Sequence, residues 1–311
     1  MTNRRTFPVA NAPCSWGVIG GDTPMKPYRT MLDELVAAGY TGTELGDYGY
    51  MGRDAAELAA ELEARNLTML GGFVPVHLAH PELSDEDLEH VLSVAHLLKA
   101  VSRGPRLPRL ILADADGQNP MRFEHAGRIT ASMGLDRDTM NRFGRHADTV
   151  AERVFSETGL STAFHPHCAG WIETPDEIEA LLDATSPERV GLVFDTAHYV
   201  FGAARTDEDG LLAAEGIRRF WGRIDTIHIK DCSAELADKA RTQGWDYAKV
   251  VRDGLYCELG HGSIDFGAVL LALEELGYQD WLTVEQDVFP DMGTPLESAT
   301  RNREFLATLG I

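Results

Sequence analysis

Residues 190–231 read VGLVFDTAHYVFGAARTDEDGLLAAEGIRRFWGRIDTIHIKD, and the architecture follows from their pattern. An apolar run ends at Asp195, an amphipathic stretch occupies 211–220, and a second apolar run covers 224–229 before turning polar. Two strands of the fully buried type, joined through a helix, make a parallel βα unit, because parallel neighbours need a long crossover. The same alternation repeats on either side. Strand-like runs fall at 7–13, 42–46, 68–74, 110–113, 161–165 and 281–285. Helical patterns cover 26–38, 55–65, 85–101, 138–158, 175–182, 266–276 and 295–306. Ser84 is placed to cap the third helix, with Glu86 and Asp87 in its first turn, and Pro175 and Pro295 sit at favourable first-turn positions. Eight strands alternating with eight helices in 311 residues predict an α/β protein of the (β/α)8 TIM-barrel type. An open dinucleotide-binding sheet needs a GxGxxG turn after the first strand, and the turn there, CSWGVIGGD, lacks that spacing. Residues 1–311 read as a single domain, with an extended βα loop at about 232–262 that carries extra helix at 234–250.

Composition narrows the function classes. Lys and Arg number 28 against 49 Asp and Glu, a formal charge of −21, which repels phosphate backbones and anionic lipid. No apolar run approaches the roughly 20 residues of a membrane helix, and the polar first residues hold no signal-peptide core. The four cysteines, Cys14, Cys168, Cys232 and Cys257, are scattered without a CxxC pair, so neither a disulfide framework nor a cysteine zinc site is predicted. A cytoplasmic protein acting on a small molecule is the expectation, with no nucleic-acid or membrane partner. Assembly into a homo-oligomer stays open.

In a parallel barrel, chemistry gathers where strands end in loops at the C-terminal face. The last four strands run into His165 and His167, into Asp195 and His198, into His228, Lys230 and Asp231, and into Glu285 and Asp287. Residues two apart on a strand share a face, so His165 pairs with His167, His228 with Lys230, and Glu285 with Asp287. If those faces point inward, His165, Asp195, His228 and Glu285 converge in the barrel mouth. Carboxylates buried there need a cation or hydrogen bonds to compensate them. Mixed nitrogen and oxygen ligation suits a divalent transition metal, Mn²⁺ or Co²⁺ foremost, with Zn²⁺ or Fe²⁺ as alternatives, better than Ca²⁺ or Mg²⁺. The bland reading of any one of these residues is an ordinary hydrogen-bonded strand end, and it weakens when four coincide. Trp16 can wall a sugar ring or simply pack, and Glu44 can hold substrate hydroxyls or pair with a neighbouring strand. His77 and Asp114 also follow strands. Gly260–Gly262, GHG, has the form of a short anion-binding turn.

The stretches FHPHCAGWIETPDEIEALLD, GLVFDTAHYVFGA, IDTIHIKDC, LGHGSIDFGAVLLALEELGYQDWLTVEQD and PLESATRNREFLATLG, with NAPCSWGV and GYTGTELGDYGYM near the start, carry a family resemblance. The chain resembles the sugar-phosphate isomerase/epimerase superfamily of xylose-isomerase-like TIM barrels, and within it the inosose dehydratase subgroup. The resemblance implies that Asp195, His228 and Glu285 ligate a divalent metal. Epimerases of the superfamily carry a glutamate at the end of strand five, where this chain has His165, so two-glutamate epimerisation is put in doubt while the HPH pattern matches the dehydratases. The implied reaction is dehydration of a keto-cyclitol such as 2-keto-myo-inositol, or of a related keto-sugar, through a metal-stabilised enediolate. Glu285, Lys230, His198 and His167 are the acid, base and oxygen-stabilising candidates, and Glu44 and Trp16 position the polyol. A buried lysine beside a metal is expected to have a lowered pKa. The rival readings are a metal-dependent ketose isomerase or epimerase, an apurinic-endonuclease-like protein, which would need a basic surface this chain lacks, and a catalytically silent sugar binder.

Overall fold

The computed structural model describes residues 7–17, 26–115, 119–207, 209–289 and 292–311. Part of the CSWGVIGGD turn, residues 18–22, lies outside them. The parallel strands are β1 (Val9–Asn11), β2 (Gly42–Thr43), β3 (Thr68–Met69), β4 (Gly71–Val76), β5 (Arg109–Asp114), β6 (Thr162–Phe164), β7 (Val190–Asp195) and β8 (Ile224–Ile229). The excursion after β8 contains β9 (Asp231–Cys232) and β10 (Tyr256–Cys257), and β11 (Leu282–Val284) completes the barrel. The sheet runs β3-β2-β1-β11-β8-β7-β6-β5-β4, nine strands in all. β3 and β4 are separated only by Leu70, whose N–H bonds back to Thr43 and whose carbonyl accepts from Arg109. They are one barrel strand broken at a single residue, so nine hydrogen-bonded runs occupy eight positions and the xylose-isomerase-like (β/α)8 barrel closes.

Burial separates the two faces of the strands. Ile111, Ala163 and Val193 pack with Phe73 as a small cluster apart from the main core. Their spacing on neighbouring strands marks this as the barrel interior, and it fixes the next residues up: His165 lies two beyond Ala163, and Asp195 two beyond Val193. The alternate residues Leu110, Leu112, Phe164, Leu192 and Phe194 join the large core beneath the helices.

The helices begin and end for local reasons. Ser84 caps Asp85–Val101 by accepting the Asp87 N–H, as its position predicts. Pro175–Ala184 and Pro295–Thr308 both open with a capping box, Thr174 with Glu177 and Thr294 with Glu297. Two short helices, Pro120–His125 and Thr196–Gly202, were not anticipated. The predicted helix at 234–250 is corrected to two, Ala234–Gln243 and Tyr247–Arg252. Gly244, at φ 67°, ends the first and Asp246 caps the second. Around them β9 and β10 pair antiparallel, Cys232 opposite Tyr256.

The loop after β6 is held by buried charge. Fully buried Arg122 makes a bidentate pair with Glu177 at 2.7 and 2.9 Å, and its Nε donates to the Gly170 carbonyl at 2.8 Å. Glu173, also buried, accepts the Gly127 and Ala169 N–H groups, each at 2.7 Å, and Ala169 stands at φ 70°. Burial pushes the Glu173 carboxyl up to about 7, against the pull of those two amides. A folded-state value above the unfolded one means that the native chain binds this proton more tightly. Glu173 therefore stabilises the fold most below pH ~4.3, and that contribution, up to about 3 kcal/mol, disappears as pH rises to ~7. Denaturant unfolding across that interval is expected to show the decline in the wild type and a flatter profile in E173Q. E173Q also loses roughly 1–3 kcal/mol throughout, because one of its two terminal atoms cannot accept an amide hydrogen. Parallel profiles would contradict this assignment.

Candidate metal centre and its surroundings

His165, at the end of β6, donates from Nδ1 to the Pro166 carbonyl at 3.0 Å, which leaves its Nε2 lone pair facing inward. His228 on β8 lies opposite Asp195 of β7 in register, and its Nε2 bonds Glu44 Oε1 at 2.9 Å. Its Nδ1 therefore faces His165 Nε2, at 3.1 Å. Asp195 Oδ1 caps the helix Thr196–Gly202 by accepting the His198 N–H at 2.8 Å, while Oδ2 is buried without a hydrogen-bond partner and stands 4.0 Å from His165 Nε2. Glu285 Oε1 lies 3.6 Å from His228 Nδ1. One ligand atom from each of these four residues lies within 4.8 Å of all the others. The predicted quartet is brought together.

The donor set fits a divalent cation. Two ring nitrogens whose outer N–H groups are committed elsewhere, an unpartnered carboxylate oxygen and a second carboxylate form a pocket of lone pairs, which only positive charge makes favourable. Burial raises the Asp195 carboxyl to about 6, and burial, with the neighbouring His167 and His228, holds His165 well below the usual imidazole range. For His228 burial opposes the charge, but Glu44 and Glu285 outweigh it and raise its pKa. Glu285 is lowered despite burial, by Lys230 and His228.

Around the quartet stand the other candidates. Lys230 Nζ lies 3.6 Å from Glu285 Oε2, 3.2 Å from Asp287 Oδ2 and 4.5 Å from the centroid of the Tyr256 ring. At Lys230 burial lowers the pKa, but the protein's own carboxylates, Asp287, Glu285 and Asp195, together raise it well above the ordinary value. His167 stacks on His165 at 4.0 Å between centroids and meets His198 edge-on at 4.9 Å. Burial holds His167 down at about 4. Burial, with Lys230 and the neighbouring imidazoles, also keeps His198 neutral. Of its two readings Glu44 shows the pair with another strand: it is 5% exposed and bonded to the His228 ring. Trp16, 4% exposed, has its indole N–H held by Glu34 Oε2 at 2.7 Å, a fixed rather than open ring.

The GHG turn is not an anion site. Its Gly260 and Gly262 N–H groups both donate to Asp231 Oδ2, at 3.0 and 2.9 Å, so the chain's own carboxylate fills that nest. Asp231 thus leaves the site, and so does Asp114, whose Oδ2 accepts the Trp171 N–H at 2.8 Å. His77 pairs with Asp87 at 3.3 Å on the rim. Tyr256, which sequence reasoning missed, touches both Lys230 and His198. It also lines a cavity of about 470 Å³ with Arg252, Glu258, His261, Phe289 and Arg301, set to one side of the quartet.

The chain is 31% identical over 294 residues to "Rhizopine catabolism protein MocC" of Rhizobium meliloti, covering 94% of this chain and 83% of that protein. It is 24% identical to an inosose dehydratase of Clostridium botulinum, with 98% of each chain covered. Among solved structures, the probable 3-DHS dehydratase AsbF from Bacillus anthracis superposes with a TM-score of 0.70 at 11% identity, over 96% of this chain and 98% of that one. The family profile described as Xylose isomerase-like TIM barrel matches residues 32–309, and the chain belongs to that family.

Proposed function

We propose that this protein is a divalent-metal-dependent lyase that removes water from a keto-cyclitol such as 2-keto-myo-inositol or a related keto-sugar. The observation that carries the reading is the convergence of His165 Nε2, Asp195 Oδ2, His228 Nδ1 and Glu285 with both imidazoles locked outward. The inosose dehydratase and rhizopine catabolism relatives support the substrate class. His165, Asp195, His228 and Glu285 would hold the ion, Mn²⁺ or Co²⁺ foremost. Bound there, a divalent cation supplies Lewis-acid polarisation of a ketone, which acidifies the neighbouring C–H.

The protein's own groups divide the proton work. His167 is kept neutral where it stacks on His165, and it takes the α-proton. Lys230, held as an ammonium by its three carboxylate neighbours, gives a proton to the departing hydroxyl, which leaves as water. His198 donates from its ring to the substrate oxygen that gains charge. Glu44 acts through His228.

Incubating metal-loaded protein with 2-keto-myo-inositol is expected to produce the absorbance of an unsaturated or diketone product. Interconversion of ketoses without that absorbance would favour the isomerase or epimerase reading instead. D195A and E285A are expected to lose bound metal and activity together, measured by elemental analysis and the same assay; variants that keep both would place the site elsewhere. E44Q is expected to bind metal roughly 10–100-fold more weakly with the fold unchanged, because the His228 ring loses its charged anchor. An unchanged affinity would remove Glu44 from the site.

A further inference from the structure

The segment between β8 and β11 reaches back into the site through one side chain. Tyr256 is 1% exposed, and its hydroxyl lies 3.1 Å from His198 Nδ1 and 3.0 Å from the Tyr247 hydroxyl. The same Nδ1 accepts the Cys168 backbone N–H at 3.2 Å. A backbone amide can only donate, so Nδ1 carries no hydrogen. Any bond from the Tyr256 hydroxyl to Nδ1 then has Tyr256 as its donor, sharing the ring's one lone pair with the Cys168 N–H, and leaves Tyr256 to accept from the Tyr247 hydroxyl. The hydrogens run one way along this chain, from Tyr247 through Tyr256 to His198. The hydrogen of the neutral imidazole is left on Nε2, the nitrogen with no hydrogen-bond partner among the described residues. Burial keeps the Tyr256 phenol protonated, so the donor persists. The Asp195 carboxylate holds the backbone end of the same histidine at 2.8 Å, fixing where the ring starts.

We infer that Tyr256 is a positioning residue: backed by Tyr247, it locks His198 in the Nε2–H form, so that His198 meets substrate as a hydrogen-bond donor and not as a base. This rests on the dehydratase reading for its substrate, but the tautomer stands on the geometry alone. The Tyr256 ring also lies over Lys230, so one residue of the excursion sets two of the proposed reacting groups.

The test is nitrogen NMR of protein labelled with ¹⁵N-histidine, recorded as purified and without substrate, beside the kinetics of Tyr256→Phe. The wild type is expected to show His198 with Nδ1 bare and hydrogen-bonded and Nε2 protonated. In Y256F, which keeps the ring over Lys230, the Nδ1 resonance should move toward that of a weakly bonded nitrogen. With 2-keto-myo-inositol, kcat should fall roughly tenfold, with KM and metal content little changed. Tyr247→Phe, further from the site, should move the same resonance less. A proton on Nδ1 in the wild type would overturn the inference, as would His198 resonances unmoved in both variants. If 2-keto-myo-inositol is not turned over while the resonances behave as stated, the failure belongs to the proposed reaction and not to the lock.

Discussion

Two imidazoles meet nitrogen to nitrogen at 3.1 Å in the mouth of this barrel, and each has already given its outer N–H away, one to a carbonyl and one to Glu44. Lone pairs placed so close repel unless positive charge stands between them. A shared proton relieves one pair of atoms. The unpartnered Asp195 oxygen and the Glu285 carboxylate make the same demand from two further directions, which a multivalent ion meets in one place. Much of the surrounding arrangement serves to keep those four groups aimed: the strand register that sets Asp195 beside His228, the helix cap on Asp195, and the Arg122–Glu177 pair that holds the carbonyl of Gly170.

The electrostatics of the site follow from one condition, charge held where water is scarce. Burial drives His165, His167 and His198 toward neutrality, and the carboxylates beside Lys230 keep it protonated. Neutral imidazoles on one side and an ammonium on the other give the site a base, an acid and a hydrogen-bond donor of different kinds.

The barrel was legible because its signal is repeated: most strands are apolar runs, and most helices have a periodic face with a capping residue or proline. β7 and β8 fell at 190–195 and 224–229 as read from the sequence. The convergence of His165, Asp195, His228 and Glu285 was legible for a related reason, since side chains at equivalent strand ends meet when a barrel closes. What failed depended on partners distant in the chain. Nothing in GHG signals that Asp231 will fill its nest, and nothing near Glu44 points to His228, 184 positions away. Tyr256 escaped notice because it lies in a non-barrel excursion whose helix breaks at Gly244, so periodicity could not say which way it returns.

The most direct measurement is an anomalous-difference map from crystals of the Mn²⁺- or Co²⁺-loaded protein, collected at the metal's absorption edge. The account requires one peak per chain, about 2.0–2.3 Å from His165 Nε2, His228 Nδ1, Asp195 Oδ2 and a Glu285 oxygen. No peak there, or a peak bound by other residues, would contradict it.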